Sequence, residues 1–207
     1  MPTPLSAEQA DALADRLASL GPSLPGVTAD EPTAAAFAAA WQRRTGATPV
    51  AGTRVRLYRL RTLTPPAPAA AGRVGERDLD EVIRWCGEFA TAVGDAPPSS
   101  WAESAFAAKH FTFWETPDGT PASMAGTTSM VARMVRVDPV YTPAHLRGRG
   151  YAGAVTVAVS SAALAAGATD VVLFADPGNP TSTALYEPLG FVPLTDFVAY
   201  DFLGGDS

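Results

Sequence analysis

Cysteine, lysine and histidine are scarce in this 207-residue chain: it holds one cysteine (Cys86), one lysine (Lys109) and two histidines (His110 and His145). A single cysteine excludes an internal disulfide framework and every cysteine-rich zinc site. Two histidines among scattered acids offer no metal-ligand spacing. Positive charge is the minority sign, with 15 Lys+Arg against 21 Asp+Glu and a net charge of -6 at pH 7. A nucleic-acid module needs a basic face, and docking on anionic lipid needs a cationic cluster, so neither nucleic acid nor membrane is an expected partner. No apolar run reaches the ~20 residues of a membrane span. The longest, at 152–166, is interrupted by Thr156, Ser160 and Ser161 and reads as a buried helix. The opening MPTPLSAE has neither the basic nor the apolar stretch of a signal peptide. With the lone cysteine, this leads to the expectation of a reducing, cytoplasmic compartment. What the chain does have is 47% hydrophobic and 17% charged residues, enough for a globular core in one or two domains.

The clearest seam is LTPPAPAAAG at 63–72. Its prolines fix φ and remove donors, so it reads as a semi-rigid linker between residues 1–71 and 72–207. Before the seam, Ser6 and Gln9 form a capping-box pair, Leu13, Leu17 and Leu20 share a face, and Gly21-Pro22 stops the helix. Pro32 opens a second helix with Phe37 and Trp41 at i, i+4 and Gly46 as its stop, and 54–57 alternates as a strand. Residues 1–71 are therefore expected to be a largely helical extension without catalytic residues. After the seam, helices and strands alternate. A strand is expected at 73–76. A helix capped by Asp78 follows, with Val82, Trp85 or Cys86, Phe89 and Val93 as its stripe and Gly94 as its end. Next come a short helix at 101–109, a hairpin of strands 110–115 and 121–128, and a longer strand at 131–141. A helix opening near Arg149, a strand at 171–175, a short helix after Asn179 and a terminal strand pair at 190–202 complete the chain. The order predicts an α/β (α+β) fold, a mixed sheet with helices packed on it.

The richest segment is VYTPAHLRGRGYAG at 140–153, where arginine and glycine alternate at the start of a helix. The first amides of a helix lack intrahelical partners, and the macrodipole places about half a positive charge there. Glycines let that backbone approach a bulky anion. Arg147 and Arg149 add mobile charge, so a diphosphate resting on Arg147, Gly148, Arg149, Gly150, Tyr151 and Ala152 is the natural ligand. Two patterns fit. Gly148, Gly150 and Gly153 match the dinucleotide-binding G-x-G-x-x-G, with Asp176 as the ribose-binding acid of an NAD(P)-binding oxidoreductase. Against this, the loop 142–146 separates the glycines from their strand, and the acid lies beyond the usual ~20-residue spacing. The other pattern, R/Q-x-x-G-x-G/A, is met in full by RGRGYA at 147–152.

That segment, followed by one strand and then NPTSTALYEPLGF at 179–191, resembles the core of the GNAT superfamily of N-acetyltransferases over residues 110–207. The likeness extends more weakly to Gly72, and residues 1–71 lie outside it. The resemblance implies a mostly antiparallel mixed sheet with a splayed parallel strand pair and flanking helices. It also implies acetyl-CoA as acetyl donor, with the pantetheine arm on the backbone of Val140 and Thr142 beside Tyr141. Asn179, Ser182 and Tyr186 would complete the coenzyme site, and Tyr186 would be the general acid toward the leaving thiolate. The reference pKa values of about 10 for the phenol and about 8.5 for the thiol are compatible with that role. Pro188 cannot donate a helical bond and should end the last helix early.

Glu115, at the end of the hairpin strand, is the candidate general base, expected beside a turn. The expected activity is direct transfer of the acetyl group to a small-molecule or peptide amine. A non-catalytic CoA-binding regulator is the remaining alternative. Residues 1–71 have three open roles: covering the acceptor site, homodimerisation, or forming a degenerate half-copy of the same fold.

Overall fold

The computed structural model describes residues 4–21 and 23–204. Pro22, half of the expected stop signal, lies outside them, as do the first three residues of the leading segment. The chain divides into two compact units.

The first unit holds residues 1–57, 175–178 and 193–207. Helix α1 (Ala7–Ser19) opens with the capping box read from the sequence: Ser6 Oγ accepts from Gln9 N–H, and Gln9 returns a bond to Ser6 N–H. Such a cap is worth about 1 kcal/mol. Strand β1 (Gly26–Asp30) leads into α2 (Glu31–Thr45), which has proline in its first turn and ends at Gly46 in the left-handed region. Strand β2 (Thr48–Leu60) is much longer than the expected 54–57, and β1 was not anticipated. Strand β8 (Phe191–Leu203) pairs antiparallel with β1, Gly26 opposite Asp201 and Asp30 opposite Phe197. The order in this unit is β1-β8-β2. Its core is Ala10, Ala14, Phe37, Ala40, Trp41 and Ala47 with Phe202 packed on them. Phe37 and Trp41 stack at 5.9 Å, as the i, i+4 stripe predicts.

The second unit holds residues 58–174 and 179–192, so the proline-rich 63–72 stretch lies inside it. Its strands and helices are β3 (Arg73–Gly75), α3 (Leu79–Val93), β4 (Lys109–Glu115), β5 (Pro121–Thr128), β6 (Met134–Tyr141), α4 (Tyr151–Ala165), β7 (Asp170–Ala175, its last residue in the other unit) and α5 (Pro180–Tyr186). The order is β7-β6-β5-β4-β3. The β3, β4, β5 and β6 neighbours are antiparallel, and β6 and β7 are parallel. This is the mixed sheet expected from the element order, and its mostly antiparallel pairing with a parallel pair is what the resemblance implied. Asp78 caps α3 by accepting from Glu81 N–H. Val82, Trp85, Cys86, Phe113 and Met124 are buried together, so both candidates for the second stripe position face the core. Burial pushes the Cys86 thiol up to about 12. Helix α4 is apolar on every side, and it buries Val155, Thr156, Val159 and Ser160.

Three expected elements differ. Residues 101–109 form turns up to the start of β4 instead of a helix. The 131–141 strand begins at Met134, because Ala132 and Arg133 take positive φ in a tight turn closed by Val131 and Met134. The terminal pair is one continuous strand, β8. No helix among the described residues is long and apolar enough to cross a membrane.

Candidate functional site

Strands β6 and β7 stay paired for four positions, from Met134 opposite Asp170 to Val137 opposite Leu173. There the ladder stops, although both strands run on. On the other flank of β6 the register with β5 shifts between Ala125 and Thr127. The cause is local. Pro139 has no N–H to give. Gly126 lies so close to β6 that a Cβ there would meet Asp138 O at 2.6 Å. Beyond the fork, Ser123 Oγ donates to Tyr141 O at 3.0 Å and meets Thr142 Oγ1 at 2.8 Å. The Tyr141 carbonyl therefore faces β5, and strand alternation turns the polar groups of Val140 toward the opposite, opened edge.

At the end of β6 the chain makes a single 3-10 turn (Ala144–Leu146) and enters α4 through Gly150. Gly148 and Gly150 have φ of +74° and +81°, a region that favours glycine. No side chain caps α4, and its first internal bond runs from Ala154 N–H to Gly150 O. The amides of Tyr151, Ala152 and Gly153 thus have no intrahelical acceptor. Arg147 Nε donates to Thr142 O at 3.0 Å, which ties the loop to the strand end, and Arg149 donates to His145 O at 3.3 Å. Neither arginine has a carboxylate within salt-bridge distance among the described residues. Residues 147–150 are exposed. This exposed segment is a helix N-terminus flanked by two cations. It fits the phosphates of a coenzyme. The antiparallel β4-β5-β6 ladder beside it is unlike the parallel sheet that follows a dinucleotide-binding G-x-G-x-x-G turn.

Tyr186 is the last residue of α5, which ends two positions before Pro188. Its ring is 8% exposed and meets Phe191 edge-on at 6.0 Å. Its hydroxyl has no hydrogen-bond partner among the described residues. Burial, with the negative charge of Asp138 adding to it, pushes the phenol pKa well above its ordinary value. Asn179 Oδ1 accepts from Thr181 N–H and so caps α5. Ser182 is part-buried on the same helix. The Tyr141 side chain leaves the loop and packs edge-on against Trp85 and Phe89 of α3, while its hydroxyl donates to Glu88 at 3.3 Å.

Glu115 ends β4 beside a turn, as expected, and is 5% exposed, with Arg73 on one oxygen at 3.1 Å and Arg77 on the other at 2.6 Å. Its carboxylate is a structural clamp between β3, β4 and the start of α3. A group absent from the sequence reading stands at the fork itself. Asp138 is 34% exposed at its side chain and is held by Lys109 and Arg136. The signal for it was an acid followed by proline inside the apolar strand VRVDPVY at 135–141. No group of side chains among the described residues is arranged to hold a metal.

The family described as FR47-like protein matches residues 125–198, from β5 through the fork and cradle into β8. Among solved structures, the chain resembles a GCN5-related N-acetyltransferase from Kribbella flavida, with TM-score 0.65 and 19% identity over 98% of this chain and 79% of that one. It also resembles an acetyltransferase of the GNAT family from Colwellia psychrerythraea, with TM-score 0.60 and 12% identity over 95% and 72%. A tandem GNAT protein from the clavulanic acid biosynthesis pathway matches with TM-score 0.61 and 19% identity over 89% and 63%. No curated protein matches. These likenesses establish the fold, and they run through residues 1–71 as well.

Proposed function

With GNAT-superfamily membership as the premise, we propose that this chain moves the acetyl group of acetyl-CoA directly to an acceptor amine. The observation that carries the reading is the uncapped, glycine-rich helix start at Gly148 to Ala152, set at the end of the β6 edge that β7 leaves unpaired. A coenzyme with its diphosphate on the 151–153 amides and Arg149 would lay its arm along Val140 and Thr142. Its reactive end would then point toward the fork. From Thr142 to Asp138 that path is about 13 Å of extended strand.

The reaction converts an ammonium and a thioester into an amide, a thiol and one proton. The ammonium first loses a proton to solvent, and the neutral nitrogen attacks the thioester carbonyl. The C–N bond forms, the C–S bond breaks with its electron pair going to sulfur, and the second proton leaves the nitrogen. Tyr186 is the group in this chain fit to meet the developing thiolate. Burial keeps its proton on throughout the neutral range, so it donates a hydrogen bond. Full transfer from a phenol near 10 to a thiolate near 8.5 is uphill by about 2 kcal/mol even before burial. Tyr186 therefore acts as a hydrogen-bond donor to sulfur, and the proton is completed from solvent. Both oxygens of Glu115 are taken, and the reading uses no step through it. The acceptor is a small-molecule or peptide amine, and the compartment proposed is the cytoplasm. A homodimer remains a proposal for the extension.

Calorimetric titration with acetyl-CoA, then with NADH, tests the reading, because only the first should bind at micromolar level. Gly150→Glu puts a carboxylate where the diphosphate belongs and should lower acetyl-CoA affinity at least a hundredfold; unchanged affinity would remove the cradle. Release of free thiol with a panel of amines separates an enzyme from a CoA-binding regulator.

A further inference from the structure

Among the described residues, five carboxylates sit part-buried or buried on α3, β4, β6 and β7, and four have both oxygens engaged. Glu81 gives one oxygen to Arg77 at 3.2 Å and the other to Arg84 at 3.1 Å. Glu115 is divided between Arg73 and Arg77. Glu88 gives one oxygen to Arg84 at 2.5 Å and accepts the Tyr141 hydroxyl on the other. Asp170 gives Oδ1 to Arg59 at 2.7 Å and accepts Thr169 Oγ1 on Oδ2. Asp138 is different. Lys109 Nζ and Arg136 Nη2, the latter at 2.9 Å, converge on the same oxygen, Oδ2. Oδ1 has no hydrogen-bond partner among the described residues.

The position of that oxygen matters as much as its freedom. Asp138 is the residue immediately after the last parallel pair of β6 and β7, and the proline that follows it adds no donor to the edge. The cradle marks one end of the coenzyme path along β6, and Asp138 marks the other. Tyr186, the donor proposed for the leaving sulfur, lies near enough for the Asp138 charge to act on its phenol. Two cations on Oδ2 fix the carboxylate against rotation. Lys109 is only 5% exposed at its side chain, and Arg136 lies over the Phe174 ring at 5.8 Å.

We infer that Asp138 is the acceptor anchor: its Oδ1 accepts a charge-assisted hydrogen bond from a primary amine at the fork, which makes the acceptor class a cationic amine. The inference rests on the acetyl-transfer reading above. Asp138 makes and breaks no bond in this role. It binds the ammonium and holds the nitrogen beside the thioester carbonyl once a proton has gone to solvent.

The test is steady-state thiol release with primary alkylamines for the wild type, Asp138→Asn and the double variant Lys109→Met/Asp138→Asn. The double variant removes the buried cation that the single change leaves short of its partner, so a folding failure of the first does not decide the matter. In either variant the amine KM should rise ten- to a hundredfold. KM for acetyl-CoA and its calorimetric affinity should stay within twofold. An amine KM unchanged in both variants, or a rise shared equally by the two substrates, overturns the anchor and leaves acetyl transfer standing. A wild type that binds acetyl-CoA and acetylates no amine refutes the transfer reading itself, and the anchor falls with it.

Discussion

Tyr186 combines an apolar setting with one unsatisfied polar atom, and the two have opposite consequences. The setting holds the phenol neutral; under the proposed acetyl transfer, the free hydroxyl is what would meet the charged sulfur. Tyr186→Phe keeps the ring contact with Phe191 and removes only that donor. One such hydrogen bond is worth about 1.4 kcal/mol, so kcat should fall about tenfold while acetyl-CoA affinity stays within twofold. Equal kcat in the two proteins, measured by thiol release, would remove the role. Residues differ in how plainly the sequence announces them. Arg147, Gly148 and Gly150 were legible because a helix start needs its glycines and cations close together in the chain. Glu115 does abut a turn as expected, but its burial and pairing were not legible, because Arg73 on β3 and Arg77 just beyond it lie about forty positions earlier. Asp138 had a local signal in the acid-proline step within an apolar strand, but its pairing was not legible, since Lys109 reaches it from 29 residues away.

At the scale of elements, local chemistry read well where a cap or turn residue governs it. Ser6 with Gln9, Asp78 with Glu81, Gly46 and Gly94 set helix ends that the structure reproduces. It read poorly where a distant partner makes a polar residue acceptable. Pro193 and the polar pair at 195–196 interrupt the apolar alternation and look like a break between two strands. Yet β8 continues through them, because Arg56 at 2.6 Å and Arg54 at 3.0 Å hold the Asp196 carboxylate inside the strand. Those hydrogen bonds, from Arg56 first and then Arg54, keep the Asp196 carboxyl below its ordinary value. The folded state thus resists protonation more than the unfolded chain, whose carboxyl titrates near 3.9. The stability contributed is present above that value and is lost as pH falls through the lower, folded one. Asp196→Asn should therefore be less stable than wild type at pH 6 and converge with it toward pH 2. Urea midpoints across that range measure this, and a constant gap would contradict it.

On the scale of the molecule, the first unit cannot be completed from one end of the chain. Its strand β8 comes from the far C-terminus and its partner β1 from residues 26–30, while Phe202 packs on Phe37 and Trp41. This explains why a seam drawn from prolines at 63–72 and a division drawn from contacts fall in different places. Proline content reports where ladders stop, whereas compactness depends on which strands find each other. A fragment of residues 72–207 lacks β1, α2 and β2, so β8 loses its partners and exposes Phe202 on an unpaired strand. It should aggregate or show unprotected amides at 197–201 by hydrogen exchange, while the full chain protects them; a monodisperse fragment with those amides protected would show β8 to be held otherwise. The solitary thiol has a practical corollary. Cys86 is 1% exposed and reluctant to ionise, so a chromogenic disulfide reagent added to the native protein should find almost nothing to react with. In the thiol-release test of the proposed acetyl transfer, any colour that develops would then count liberated coenzyme against a blank near zero.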